Sequence, residues 1–288
     1  MFRKTISSIS IKNLRRLGAV FTAVVLFAIM FLPIMSSYRN LKASGTNGSV
    51  ETGASSGNFS WGLKRGKNGS LPEADPKAVK VLEQYGGKYL GNTNEKTIYL
   101  TFDEGYENGY TSKILDVLKA NNVKAIFFIT GDYFEREPEL VKRMIDEGHE
   151  VGNHTMNHPT MTQISDAKIK EEIMSLSDAI YDKFGYRTRM LRAPKGEFNE
   201  AVLKVSSEVE HTNIMWSFAY KDWIADEVKG ADYATEMVLS NLHNGAVILL
   251  HAVSADNANA LDSIIKGAIE KGYNFGTADQ LLLAKCCG

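Results

Sequence analysis

The chain has few of the residues that build disulfide frameworks or nucleotide-binding loops. Only two of its 288 residues are cysteines, the adjacent Cys286 and Cys287. Adjacent cysteines cannot staple a domain, and they lack the paired spacing of a zinc knuckle. No Gly-x-Gly-x-x-Gly or Walker pattern follows any predicted strand, which leaves the sequence with little support for nucleotide binding.

Acidic residues are missing from the first 42 positions, which hold seven Lys and Arg residues. Of the 33 Lys and Arg residues in the whole chain, 26 lie beyond residue 42, together with all 34 Asp and Glu residues. The body of the protein is therefore acidic. A body of this charge argues against nucleic acid as a partner.

One long hydrophobic run, residues 18–35, follows a basic segment that ends in Arg15 and Arg16. It is about as long as a bilayer span, and its basic flank favours an inside amino terminus. We interpret residues 1–35 as a signal peptide or, preferably, an uncleaved membrane anchor of an exported protein. No cysteine directly follows the run, which excludes attachment as a lipoprotein. Residues 36–58, rich in Ser, Gly, Asn and Thr, are predicted to form a flexible linker.

Beyond the linker, residues 59–95 are predicted to form an arm that packs on the domain, and residues 96–288 the domain itself. From Lys96 onward, strand and helix patterns alternate through about seven units, which is typical of a parallel sheet covered by helices. An open doubly wound sheet and a closed barrel both fit this pattern. Polar residues follow five different predicted strands, and their convergence favours a barrel rim: Asp103, His154, Arg192, Asp222 and His251.

The first two polar groups have the composition of a hydrolytic metal site. Asp103 and Glu104 end a predicted strand and, being adjacent, point in different directions, so one can bind a metal ion while the other accepts a proton. His154 and His158 are four residues apart, a spacing that lets both imidazoles face one side of a helical turn and bind one ion. A free carboxylate beside an open metal site is what metal-assisted hydrolysis requires.

The remaining groups could tune that chemistry. A guanidinium at Arg192 would lower the pKa of a nearby carboxylate and hold its rotamer. Asp222 could orient His251 at the end of a buried strand and raise its pKa. Trp223 and Tyr220 fit plain packing and stacking on a sugar ring equally well.

Five motifs in order give the chain a specific resemblance. Residues 101–105 resemble the Thr-Phe-Asp-Asp-Gly motif, and residues 154–158 the His-[Ser/Thr]-x-x-His motif, of the polysaccharide deacetylases of carbohydrate esterase family four. Residues 192–196, 222–223 and 249–251 are similar to the Arg-x-Pro-x-Gly, Asp-Trp and Leu-x-His motifs of that family. The segments 99–111 and 61–64 resemble the branch of delta-lactam-biosynthetic de-N-acetylases. The resemblance covers roughly residues 96–284 and implies a distorted (β/α)7-type, NodB-like barrel.

The resemblance also implies a role for each motif residue. Asp103 would be the general base, held by Arg192, and His251 the general acid, oriented by Asp222. His154, His158 and Glu104 would bind a divalent metal ion, with zinc expected from two imidazoles and a carboxylate. Position 104 departs from the family pattern, because the usual residue there is Asp. The longer Glu side chain could reach the ion or turn away and leave two protein ligands.

The branch resemblance implies removal of acetyl from N-acetylmuramic acid in peptidoglycan, leading to muramic δ-lactam in spore cortex. Because lactam closure needs a lactyl group free of peptide, it also implies an N-acetylmuramoyl-L-alanine amidase as a functional partner. The location implied is the membrane, the cell wall or the forespore intermembrane space. Two alternatives stay open: a deacetylase of N-acetylglucosamine in peptidoglycan or chitin, and a non-catalytic glycan-binding module.

Overall fold

The computed structural model describes residues 57–67 and 69–284. The predicted anchor, most of the predicted linker and the two cysteines lie outside these residues. In the described part of the chain no helix is long and apolar enough to cross a membrane.

Strands and helices alternate through the domain after a short amino-terminal arm. The strands are β1 (Phe59–Ser60), β2 (Leu63–Lys64), β3 (Glu73–Ala74), β4 (Thr97–Glu104), β5 (Ile126–Ile129), β6 (Glu150–Asn153), β7 (Met190–Leu191), β8 (Glu197–Phe198), β9 (Thr212–Asn213), β10 (Val247–His251) and β11 (Asn274–Phe275). The helices are α1 (Pro76–Gln84), α2 (Thr111–Ala120), α3 (Gly131–Arg136), α4 (Pro138–Asp146), α5 (Asp166–Phe184), α6 (Glu200–Glu208), α7 (Ala231–Leu239), α8 (Ala255–Glu270) and α9 (Ala278–Leu283).

A curled, seven-stranded parallel sheet forms the centre of the fold. Its strand order is β10-β4-β5-β6-β7-β9, and β11 pairs with the start of β4. The chain after β9 then bends across to the other edge, where Phe218 pairs with Ile248 of β10. The segment before β4 also joins both edges, because Lys88 pairs with Ile214 and Leu90 with Ala246. These bridges close the sheet into the predicted distorted barrel.

Alternation along β4 decides which side chains face the barrel interior. Ile98, Leu100 and Phe102 pack in the large outer core beneath the helices, whereas Tyr99 packs in the small inner core. Because successive side chains point to opposite faces of a strand, Asp103 belongs to the inner face and Glu104 to the outer one. The two neighbouring carboxyl groups are therefore separated by the sheet itself.

Helix termini largely follow the local signals. The sequence predicts a helix over residues 165–184 with Ser165 as its cap and Gly185 as its stop, and in α5 Ser165 accepts a hydrogen bond from the Lys168 amide while Gly185 ends the helix at φ = 67°. The sequence of residues 212–216 predicts a strand of five residues, but the strand ends at Asn213, because the chain leaves β9 at Ile214 to cross to β10. Helix α3 was not predicted, since a six-residue helix shows too little periodicity.

The arm is tied to the rim of the barrel by backbone and side-chain bonds. Phe59 pairs with Phe198 in an antiparallel ribbon. The backbone amide of Trp61 donates to the Gly196 carbonyl at 2.9 Å, and its indole Nε1 donates to the Trp216 carbonyl at 2.9 Å. The arm thus supports two segments that line the cavity described next.

Candidate active site

A cavity of about 640 Å³ opens at the carboxyl ends of the barrel strands. Among its lining residues are Asp103, His154, His158 and His251. Parallel strands deliver their carboxyl ends to one edge of a sheet, which is why residues 148 positions apart meet here: Asp103 and His251 are register partners on β4 and β10. A second cavity of about 450 Å³ shares His158 with the first, which extends the site into a groove.

The Asp103 carboxylate is held by a fully buried arginine. Arg192 Nη1 donates to Asp103 Oδ1 at 2.7 Å and to Thr101 Oγ1 at 2.9 Å, while its Nε donates to the Ile214 carbonyl at 2.9 Å. The guanidinium also lies 4.2 Å from the centre of the Phe128 ring. Burial, the largest single effect, would raise the pKa of Asp103, but the charges of Arg192, His154 and His251 and the Arg192 hydrogen bond together outweigh it, so the pKa is lowered. Asp103 is therefore ionised at neutral pH, with Oδ2 left free of Arg192.

Two imidazoles lie beside the free oxygen of Asp103. His154 Nδ1 donates to the Arg192 carbonyl at 2.7 Å, so its Nε2 carries the lone pair and lies 3.7 Å from Asp103 Oδ2. The ring centres of His154 and His158 are 4.9 Å apart. Burial lowers the pKa of His154 to about 4 and also lowers that of His158, so both rings are neutral at pH 7.

The histidines do not share a helical turn as the spacing predicts. Residues 154–160 form a loop, in which Thr155 has φ = 69° and His158 φ = 52°. The loop is fixed from outside: Asn153 Oδ1 accepts from the Thr155 amide at 2.8 Å, and the buried Glu172 of α5 accepts from the Asn157 amide at 2.8 Å. These contacts, rather than helical periodicity, bring the two rings together.

Glu104 does not reach the cavity. It is fully buried on the outer face of β4, and neither carboxyl oxygen has a hydrogen-bond partner among the described residues. Burial, with a smaller contribution from Glu107, raises the pKa of Glu104 well above its usual value, so the group is protonated at neutral pH. The alternation of side chains along the strand therefore removes the third predicted metal ligand.

The donor set fits a divalent ion only in part. The open Nε2 lone pair of His154, oriented by a backbone carbonyl, and the adjacent ring of His158 suit an ion such as zinc. In the described part of the chain, however, no three His, Cys, Asp or Glu side chains are grouped to hold a metal. The described residues therefore offer two imidazole ligands, and the Glu104 carboxylate that the sequence predicted as a third ligand does not reach them.

His251 lies beside Asp103 at the end of β10 and is bonded to Asp222. Its Nδ1 donates to Asp222 Oδ1 at 2.7 Å, and its backbone amide donates to Asp222 Oδ2 at 2.9 Å. Burial lowers the pKa of His251, but the hydrogen bond and charge of Asp222 more than offset it, so the pKa is raised. Asp103 and His251 thus have pKa values displaced in opposite directions, the pattern of a paired base and acid.

Aromatic and basic side chains complete the walls. Trp223 is 52% exposed, and its ring centre is 5.7 Å from that of His251, so it can stack on a ligand, whereas Tyr220 is buried. Lys195 and Lys221 line the same cavity. Lys195 has φ = 60° in the turn after Arg192, and its Nζ donates to Thr160 Oγ1 at 3.0 Å.

Sequence reasoning missed Trp216 and Asn257. Trp216 lines the cavity, and its carbonyl is bound by the arm. Asn257, in the first turn of α8, donates to Asp222 Oδ2 at 2.6 Å. A polar residue at a buried position of a mostly apolar helix was the available signal for Asn257, but only tertiary contacts identify its partner.

Comparisons with known proteins agree with this geometry. Residues 90–214 match the family model described as polysaccharide deacetylase. The chain is 44% identical over 228 residues to the peptidoglycan-N-acetylmuramic acid deacetylase PdaA of Bacillus subtilis, covering 79% of this chain and 87% of that protein. A solved structure of B. subtilis PdaA, described as a family 4 carbohydrate esterase, superimposes with a TM-score of 0.76 over 78% of this chain and 97% of the other. A peptidoglycan-N-acetylglucosamine deacetylase of Bacillus cereus is 37% identical over 69% of this chain and 73% of its own.

Proposed function

Because the chain belongs to the polysaccharide deacetylases of carbohydrate esterase family 4, we propose that it removes the acetyl group from N-acetylmuramic acid in peptidoglycan. The enzyme is a hydrolase of the carbohydrate N-acetyl amide, and its relatives support peptidoglycan de-N-acetylation as the reaction. The observation that carries the proposal is the pairing of an ionised Asp103 with a His251 of raised pKa in one cavity, at neighbouring strand ends.

The two groups perform complementary proton transfers. Asp103 Oδ2, which Arg192 leaves free, accepts a proton from the water that attacks the acetamide carbon. His251, held by Asp222, donates a proton to the sugar nitrogen as the C–N bond breaks. Without that proton the leaving group would be an amide anion, which is far too basic to depart. Acetate and a free amine on the sugar are the products.

The family generally uses a divalent metal ion, and His154 and His158 would hold it here. Such an ion, with zinc as our proposal, would polarise the acetamide carbonyl. Arg192 contributes indirectly, because its carbonyl fixes the His154 tautomer that leaves Nε2 unprotonated. The same residue therefore orients both the base and one candidate ligand.

Titration calorimetry with zinc separates the two predicted kinds of ligand. We expect His154→Ala to weaken zinc binding at least tenfold, because it removes one of two imidazole ligands. Glu104→Gln should leave zinc affinity unchanged, because a neutral amide replaces a protonated carboxyl that faces the outer core. A loss of zinc affinity in Glu104→Gln would contradict this prediction and show that Glu104 binds the metal.

Two lysines favour muramic acid over glucosamine as the substrate. The former carries a lactyl carboxylate that the latter lacks. Lys195 and Lys221 line the cavity, and Lys221 is partly neutralised by Glu227 at 2.7 Å. We therefore assign the lactyl carboxylate to the Lys195 side.

The exposed amine can then close on that carboxylate to form muramic δ-lactam, once an amidase has removed the peptide. We propose, on this product, that the enzyme acts at the spore cortex and is exported, either anchored in the membrane or secreted.

Mass spectrometry of glycan strands after incubation with purified protein tests the substrate. We expect deacetylation at muramic acid in peptide-free strands, and a smaller preference for muramic acid in Lys195→Gln than in the control Lys204→Gln, whose lysine lies on α6 away from the cavity. Deacetylation of glucosamine alone would favour the alternative function, a peptidoglycan-N-acetylglucosamine deacetylase like that of B. cereus. Glycan binding without acetate release would favour a binding module.

A further inference from the structure

The loop that carries Asp222 has little regular structure of its own. Residues 219–230 contain neither helix nor strand, yet Asp222 must be fixed to orient His251. Both ends of this loop are bonded to the first turn of α8. Asp256 accepts from the backbone amides of Lys229 at 2.7 Å and Gly230 at 3.0 Å, and Asn257 bonds to Asp222 at the other end.

Asn257 occupies the centre of this arrangement and is 1% exposed. Its Nδ2 donates to Asp222 Oδ2 at 2.6 Å and to the His251 carbonyl at 3.1 Å. Its Oδ1 accepts a hydrogen bond from the Tyr220 hydroxyl. A flipped amide would place Oδ1 against the carboxylate, so the network permits one orientation only.

We propose that Asn257, oriented by Tyr220, is a positioning residue that holds the Asp222 carboxylate in the plane required to align His251. The catalytic consequence rests on the proposed function, whereas the alignment does not. Asp222 Oδ2 receives both the Asn257 amide and the His251 backbone amide, which leaves Oδ1 for the imidazole. Without Asn257 the carboxylate can rotate, and the Nδ1 hydrogen bond loses its fixed acceptor.

Other charges near His251 define what the test must hold constant. Asp222 faces the imidazole from the loop, Asp103 from β4 and Arg192 from the turn after β7. Asn257→Ala changes none of these charges, so any change at His251 reports the geometry of Asp222. Asn259→Ala is the matched control, because Asn259 lies on the same helix but is exposed.

The experiment combines kinetics with an NMR titration of the His251 imidazole. In Asn257→Ala we expect kcat to fall about tenfold to a hundredfold with KM nearly unchanged, the scale of a 1 Å misplacement. The titration midpoint of His251 should move to lower pH, because the imidazolium loses part of its stabilisation by Asp222. The alkaline limb of the kcat–pH profile should move in the same direction. Tyr220→Phe should shift both in the same direction by less, and Asn259→Ala should match the wild type.

Each outcome is decisive. An unchanged or higher His251 midpoint in folded Asn257→Ala would overturn the proposal, even if kcat fell, because a merely structural defect would lower activity without moving the titration. If Asn257→Ala does not fold, Tyr220→Phe carries the same test, and a wild-type midpoint there would equally overturn it. A lowered midpoint in a protein without deacetylase activity would support the alignment and reject the proposed function instead.

Discussion

Asp103→Asn is expected to lower the rate of glycan deacetylation by about 10²- to 10⁴-fold, the usual contribution of a general base. The amide can still accept the hydrogen bond of Arg192 through its oxygen, which keeps the geometry, but it cannot take a proton from water. Acetate release from peptide-free glycan strands measures the effect. The same loss should appear with an activated acetate ester, because both substrates need the attacking water.

The control for this prediction is Asp116→Asn, the same substitution at an exposed carboxylate of α2 that pairs with Arg143. It should deacetylate like the wild type. A thermal melt of each variant establishes that both are folded, since Asp103 is the buried partner of a buried arginine. Wild-type activity in folded Asp103→Asn would overturn the assignment of the base.

His251→Gln is expected to have a comparable effect, but one that depends on the leaving group. Deacetylation of the sugar amide should fall by about 10²- to 10⁴-fold, because the departing nitrogen must be protonated. Hydrolysis of 4-nitrophenyl acetate should fall far less, since a nitrophenolate leaves without a proton. The ratio of the two rates therefore isolates the acid role from any general loss of active protein.

Equal losses on the amide and the ester would contradict the acid assignment and make His251 a structural or binding group. In Asp103→Asn, by contrast, equal losses are the expected result. The two variants together distinguish the two proton transfers, because only one of them should respond to the leaving group.

Much of the fold was predictable because its signals are local. The β-rich run of β4, the cap at Ser165 and the stop at Gly185 each depend on residues that are close in sequence. The crossing of residues 214–218 from one sheet edge to the other was not predictable, because pairing of Phe218 with Ile248 depends on barrel closure. Hence the predicted strand 212–216 was too long.

The candidate site likewise has features that local sequence predicts and features that depend on tertiary contacts. The resemblance of five ordered motifs to the family supplied the candidate base, acid and imidazoles from the sequence alone, because each motif is a short local run of residues. The helical turn predicted for His154 and His158 was wrong, since contacts from Asn153 and the distant Glu172 shape that loop instead.

The sequence by itself determined that two carboxyl groups end one strand and that histidines follow two others, since composition and strand periodicity are local properties. Only the tertiary structure decided what those groups do. The pleat of β4 places Asp103 against Arg192 inside the barrel and Glu104, uncharged, in the outer core. Charge state and accessibility depend on neighbours distant in the chain, and folding alone selects those neighbours.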